Sequence, residues 1–79
     1  MIDSSNVLLG ATWCGPCKQV KTFLAVHSID FLYVDVDTDE GQELAKRQGV
    51  RSVPAMITEK SKYVGDGDIR EAVKRGDIV

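Results

Sequence analysis

No run in the sequence approaches the roughly 20 apolar residues of a membrane-spanning helix, which excludes that class of membrane protein. The opening Met1-Ile2-Asp3-Ser4-Ser5-Asn6 lacks the charged start and apolar centre of a signal peptide, so a cytoplasmic setting is expected. There is no surplus of positive charge. With 10 Lys and Arg against 12 Asp and Glu, the net charge of -2 gives no long-range pull on phosphate backbones or anionic lipid. Nucleic acid and membrane are therefore not expected partners, and any binding surface must be local. Histidine occurs once and cysteine twice. A structural zinc site usually needs four Cys or His ligands, and Cys14, Cys17 and the distant His27 do not supply them, so no metal is expected. Repeats, linkers and low-complexity tracts are also missing. What remains, 79 residues with 43% hydrophobic and 28% charged content, describes one small domain over 1–79 near the lower limit for a single core, expected as a monomer.

The hydrophobic pattern gives seven elements. Val7-Leu8-Leu9, ended by Gly10, is consistent with a buried strand, and its shortness favours strand over helix. From Gly15, the residues Val20, Phe23, Leu24 and His27 recur at i, i+3, i+4 and i+7, opposite Lys18, Gln19, Lys21 and Thr22, which predicts an amphipathic helix. Pro16 fits its first turn, where no intrahelical hydrogen bond is lost. Phe31 to Val36, rich in branched and aromatic residues, reads as a second strand. Asp37, Thr38 and Asp39 offer caps for a second helix with Leu44 and Ala45 inward, Lys46 and Arg47 in its last turn and Gly49 as C-cap. Val53 to Thr58 is a strand entered through Pro54, and the turn Glu59-Lys60-Ser61-Lys62 leads to a partner strand at Tyr63-Val64. Gly65-Asp66-Gly67 breaks that strand. Asp68 can then cap a last helix carrying Ile69, Ala72 and Val73 inward and ending at Gly76. The order is βαβαββα, an α/β domain with three helices and four strands.

The two cysteines lie within one four-residue stretch, where a bridge closes almost no loop and adds little stability, so their placement points to chemistry. Trp13-Cys14-Gly15-Pro16-Cys17 falls where a strand hands over to a helix. Cys14 then sits beside unpaired N–H groups of a helix N-terminus, which favour a thiolate. Cys17, three residues on along the same helical face, can attack a mixed disulfide formed at Cys14. Cys14 is the expected nucleophile and Cys17 the resolving thiol of a redox-active disulfide, with Gly15 and Pro16 fixing the turn and no tightly bound cofactor required. Lys18 is a candidate for electrostatic support of the thiolate, set against the small effect of an exposed lysine without fixed geometry. Trp13 reads either as packing or, beside a reactive thiol, as a residue that shapes access.

The run Trp13-Cys14-Gly15-Pro16-Cys17-Lys18, together with Gly49-Val50-Arg51-Ser52-Val53-Pro54 and Val64-Gly65, resembles the thioredoxin family over nearly the whole chain. The resemblance implies a minimal thioredoxin fold with a mixed four-stranded sheet. It also implies that Pro54 is cis and faces the dithiol, and that the backbone of Val53 pairs with a substrate segment. Trp13, Gly15, Pro16, Val53, Pro54 and Gly65 would then form a mostly apolar docking surface around Cys14. Without the resemblance, Pro54 reads as an ordinary edge-strand proline.

The chain departs from that family in three places. Just 13 residues precede Cys14, which gives it the size of a glutaredoxin. Six residues before Cys14, where thioredoxins carry a buried aspartate that assists proton transfer at the second cysteine, this sequence has Leu8, and Tyr33 stands nearest to the lysine that accompanies that acid. Asp35 and Asp37 share the strand of Tyr33 but fit solvated strand and cap positions, so no catalytic role is assigned to them. His27 lies some ten helical residues, about 15 Å, from Cys14, and a helix-end or partly buried role is expected. Gly65-Asp66-Gly67-Asp68 resembles the turn with which glutaredoxins hold a carboxylate of glutathione, although ordinary cap chemistry needs the same residues.

Three functions follow as expectations. The first is a protein-disulfide reductase acting on disulfide-containing proteins, re-reduced by a flavin-dependent thioredoxin reductase. The second is a glutaredoxin-like hydrogen donor, for example to ribonucleotide reductase, drawing on glutathione or on thioredoxin reductase. The third is a non-catalytic binding module that uses the apolar rim around Trp13.

Overall fold

The computed structural model describes residues 6–59 and 61–78. The opening Met1–Ser5 and the turn residue Lys60, both used in the sequence reading, lie outside the described residues. Chain order is β1 (Val7–Gly10), α1 (Gly15–Val26), β2 (Leu32–Asp35), α2 (Asp39–Gln48), β3 (Ala55–Ile57), β4 (Lys62–Val64) and α3 (Asp66–Arg75). The strands form one mixed sheet in the order β2-β1-β3-β4, with β1 parallel to β2 and antiparallel to β3, and β3 antiparallel to β4. This is the α/β architecture expected of a minimal thioredoxin fold. Among the described residues no helix is long and apolar enough to cross a membrane.

The two-residue period of β1 builds the two cores. Leu8 stands between Tyr33 and Met56 in the ladder and packs with Val20 and Leu24 of α1 and Ile69 and Ala72 of α3. Leu9 stands between Val34 and Ala55 and packs on the opposite face against Leu44 and Ala45 of α2. The central strand is thus buried on both faces, as its unbroken apolar run requires.

Helix ends follow local chemistry. The Thr38 hydroxyl accepts a hydrogen bond from the Gly41 N–H at 3.0 Å, capping α2 beside Asp39 and Glu40. Gly49 closes that helix at φ 68°, a left-handed conformation that glycine adopts without steric cost. The Lys62 ammonium adds a hydrogen bond to the Gln48 carbonyl there. Gly41 lies over the end of β2 so closely that a Cβ on it would stand 2.6 Å from the carbonyl carbon of Asp35 and 2.7 Å from Cα of Val36.

The structure corrects several expected boundaries. Strand β2 is shorter than Phe31–Val36. Strand β3 starts at Ala55 rather than Val53, because Pro54 has no N–H for the ladder, and it ends before Thr58, whose N–H and hydroxyl both donate to the Ser61 carbonyl, at 2.8 and 2.9 Å. Helix α3 begins at Asp66, not after an Asp68 cap. Gly65 is its N-cap, the Ile69 N–H closes the first turn on the Gly65 carbonyl at 3.1 Å, and Asp66 reaches Arg70 one turn on at 2.6 Å. His27 leaves the inward stripe as the exposed C-cap of α1, its ring centroid 4.3 Å from that of Phe23. The inward position passes to Ile29, whose N–H bonds to the Leu24 carbonyl.

Candidate active site around the Cys14–Cys17 disulfide

Strand β1 delivers the chain to the site and α1 carries it away. The Cys14 N–H donates to the Ala11 carbonyl at 3.2 Å, and Cys14 itself takes extended backbone angles as the N-cap of α1. Its Sγ accepts a hydrogen bond from the Cys17 N–H at 3.2 Å, so the sulfur occupies the place usually filled by a capping oxygen. Pro16 falls in the first turn as expected, where it has no hydrogen bond to lose.

Cys14 and Cys17 are joined in a disulfide with a Cα–Cα distance of 5.3 Å. Both cysteines are buried, Cys14 at 6% exposure slightly less so than Cys17 at 1%. Ala11, Val36 and Val53 pack around them as an apolar surround, and Cys14 is the more accessible of the two.

The Val53-Pro54 bond is cis, and the Val53 carbonyl oxygen lies 3.9 Å from Cys14 Sγ. The Val53 N–H makes no hydrogen bond among the described residues. The Pro54 carbonyl accepts from the Gly65 N–H at 2.8 Å, which fixes the end of β4 beside the proline, with Gly65 at φ 99°. Trp13, exposed to 67%, lines a groove together with Val53. Val53, Pro54 and Gly65 are thus linked to one another and to Cys14, while Gly15 and Pro16 follow Cys14 in the first turn of α1. Lys18 is not joined to the dithiol by any hydrogen bond or ion pair among the described residues; it borders a shallow hollow with Gln19, Thr22, Phe23 and Arg70.

One contact of the site has no counterpart in the sequence reading of its residues. The Trp13 Nε1–H donates to the Asp37 carboxylate at 2.9 Å, tying the tryptophan to the turn between β2 and α2. That turn is itself set by Asp35, whose carboxylate accepts from the Asp37 N–H at 2.8 Å. An aspartate 24 residues from its partner carries no local signal, and its cap-like setting gave an adequate reading without the tryptophan.

Leu8 is fully buried, so the location of the family's buried acid is apolar here. Beside it in the ladder, Tyr33 carries the Lys21 ammonium 4.2 Å above its ring centroid and lies against Gly10, where a Cβ would come within 2.8 Å of the ring. Burial, then the charges of Asp35 and Asp37, raise the Tyr33 phenol above its ordinary value. It is held protonated and cannot stand in for the missing carboxylate as a base. Among the described residues no cluster of three or more His, Cys, Asp or Glu side chains is arranged to hold a metal ion.

The sequence profile described as Thioredoxin matches residues 4–79. Human thioredoxin is 36% identical over 62 residues, covering 71% of this chain and 57% of that protein. Chicken thioredoxin is 39% identical over 49 residues, covering 56% and 45%. The chain thus spans about half the length of the curated relatives it matches. In structure it is similar to a mutant of a thioredoxin-like protein, with TM-score 0.74, 21% identity and coverage of 89% of this chain and 95% of that one. It is also similar to buckwheat glutaredoxin in complex with glutathione, with TM-score 0.72, 22% identity and coverage of 91% and 70%. These two likenesses concern the fold. The profile match, running over nearly the whole sequence and agreeing with the fold built from its residues, places this chain in the thioredoxin family.

Proposed function

We propose that this chain is a thiol–disulfide oxidoreductase that reduces protein disulfides through Cys14 and Cys17. The observation that carries the reading is the Cys14 sulfur, set at the N-cap of α1 with the Cys17 N–H donated to it and more accessible than the almost fully buried Cys17. In the reduced form that N–H and the helix dipole favour the Cys14 thiolate. The thiolate attacks one sulfur of a substrate disulfide, and the other substrate sulfur leaves as a thiolate that takes a proton from solvent. Cys17 gives its proton to solvent and attacks Cys14 Sγ, the mixed disulfide breaks, and the second substrate thiol departs. Two substrate thiols are formed and the Cys14–Cys17 disulfide holds the oxidising equivalents. A reductant must return two electrons and two protons; a flavin-dependent thioredoxin reductase is the proposed source. The dithiol stores the electrons itself, so the cycle needs no tightly bound cofactor, and it suits a cytoplasmic setting where thiols are kept reduced.

The open N–H of Val53 supports β-like pairing of a substrate segment beside Cys14, against the apolar side chains of Trp13, Pro16 and Val53. The test is a pair of variants. Cys14→Ser is expected to abolish disulfide reduction, and Cys17→Ser to accumulate a mixed disulfide with substrate through Cys14. Retained turnover in Cys14→Ser, or trapping through Cys17 instead, overturns the assignment.

A glutaredoxin-like donor is the second reading, favoured by Gly65 as an N-cap of α3 that offers backbone N–H groups without a capping side chain. Turnover driven by glutathione but not by a thioredoxin reductase would select it. A Cys14→Ser/Cys17→Ser variant with full biological activity would instead select a binding module.

A further inference from the structure

Beside the disulfide a groove of about 690 Å³ is lined by α2, the segment leading to Val53, and Trp13. Its apolar lining comes from Val36, Ala45, Val50 and Val53, and the only charged side chains that line it are Lys46 and Arg51. Both are exposed, and neither takes part in the ion pairs seen among the described residues, Glu43–Arg47, Asp66–Arg70 and Arg75–Asp77. Nearby cations are committed elsewhere: Arg47 to Glu43, and Lys62 to the Gln48 carbonyl. The C-terminal dipole of α2 accounts for Lys46 in its last turn, but Arg51 lies outside any helix and has no such reason to be there. On a chain of net charge -2, two uncommitted cations thus share one groove.

Val53 lines this groove and also faces Cys14 Sγ at 3.9 Å, so groove and disulfide are continuous. We propose that Lys46 and Arg51 set substrate choice, selecting disulfide-bearing protein segments with Asp or Glu side chains beside the reactive cysteine. The inference rests on the disulfide-reductase reading above. A segment whose cysteine meets Cys14 lays its flanking residues over the apolar floor, and acidic side chains there reach the two cations while basic ones are repelled.

The test uses the reduced full chain and two disulfide-bonded peptides of equal length, one with Glu and one with Lys flanking the cysteine. Their kcat/KM ratio is compared between the unaltered protein and Lys46→Glu/Arg51→Glu, so that differences in intrinsic peptide reactivity cancel. Each exposed charge pair changes such a ratio by about 1.5- to five-fold, so the pair of cations should favour the acidic peptide by about five-fold at low ionic strength. The preference should shrink in salt and invert in the double variant. A ratio that the double reversal leaves unchanged overturns the proposal. So does a variant altered only in glutathione-driven turnover, which would assign the cations to the carboxylates of glutathione. Reduction of uncharged hydroxyethyl disulfide by the unaltered protein tests the underlying reading separately: if it proceeds while the peptide ratio stays flat, selectivity alone has failed, and if it does not proceed, both have.

Discussion

Two glycines in helices should respond in opposite directions to the same substitution. In the interior of a helix, Gly→Ala ordinarily stabilises by about 0.5–1 kcal/mol, because alanine has less backbone freedom to lose on folding. Gly67, the second residue of α3, has nothing within 4 Å of where its Cβ would stand, so Gly67→Ala should be stabilised, by no more than the roughly 0.5–1 kcal/mol of a fully interior position. Gly41 in α2 is different. Its Cβ would meet the Asp35 carbonyl oxygen first, then the Asp35 carbonyl carbon and Val36 Cα at 2.6 and 2.7 Å, and backbone cannot swing aside as a side-chain tip would. Forcing a methyl group into a packed site costs about 1–3 kcal/mol, which outweighs the gain in helix propensity and leaves Gly41→Ala destabilised by roughly 1–2 kcal/mol. For a domain of this size about 1 kcal/mol corresponds to a shift of roughly 4–8 °C in Tm. Thermal and urea unfolding followed by circular dichroism would measure both variants. The consequence reaches the site, because the contact seats α2 on the turn that carries Asp37, and α2 forms one wall of the groove next to Cys14. A Gly41→Ala protein as stable as Gly67→Ala would refute the close-approach argument and with it this account of how α2 is positioned.

Asp37→Ala removes the hydrogen bond that holds Trp13, an exposed interaction, so stability should change by less than about 1 kcal/mol while reduction of a protein disulfide slows several-fold more than reduction of a small disulfide. Equal slowing of both substrates would place the effect at the sulfurs rather than at the tryptophan. The raised pKa of the Tyr33 phenol has a definite sign: its contribution to stability is fully present below the unfolded value near 10 and is lost as pH rises through the higher folded value. Urea unfolding at stepped alkaline pH should therefore show a decline that Tyr33→Phe makes shallower, and an identical decline in that variant would contradict the burial argument.

The elements and the site were legible in different ways. Strands and helices could be placed because Leu8 and Leu9, Val20 and Leu24, and Ile69 and Ala72 carry their periods in the chain itself, and because Gly49 and Gly76 mark helix ends by the conformation they must take. The dithiol was readable because its chemistry requires a fixed short spacing, and the resemblance placed Val53, Pro54 and Gly65 beside it. What could not be read depends on distance in space. The Asp37 contact to Trp13, the seat of Gly41 on β2 and the burial of Ile78 beyond the last helix have no periodic or local counterpart. The start of α3 was misplaced because aspartates are preferred caps, yet Gly65, already fixed to Pro54, took the position first.

The most direct measurement is an equilibrium titration of the Cys14–Cys17 couple against defined thiol–disulfide buffers. A disulfide that forms and breaks reversibly with a potential near the roughly -270 mV of thioredoxin is the predicted result for a reductant. A potential above about -200 mV would contradict the direction of electron flow, and failure to form an intramolecular disulfide at any poise would contradict the dithiol mechanism itself.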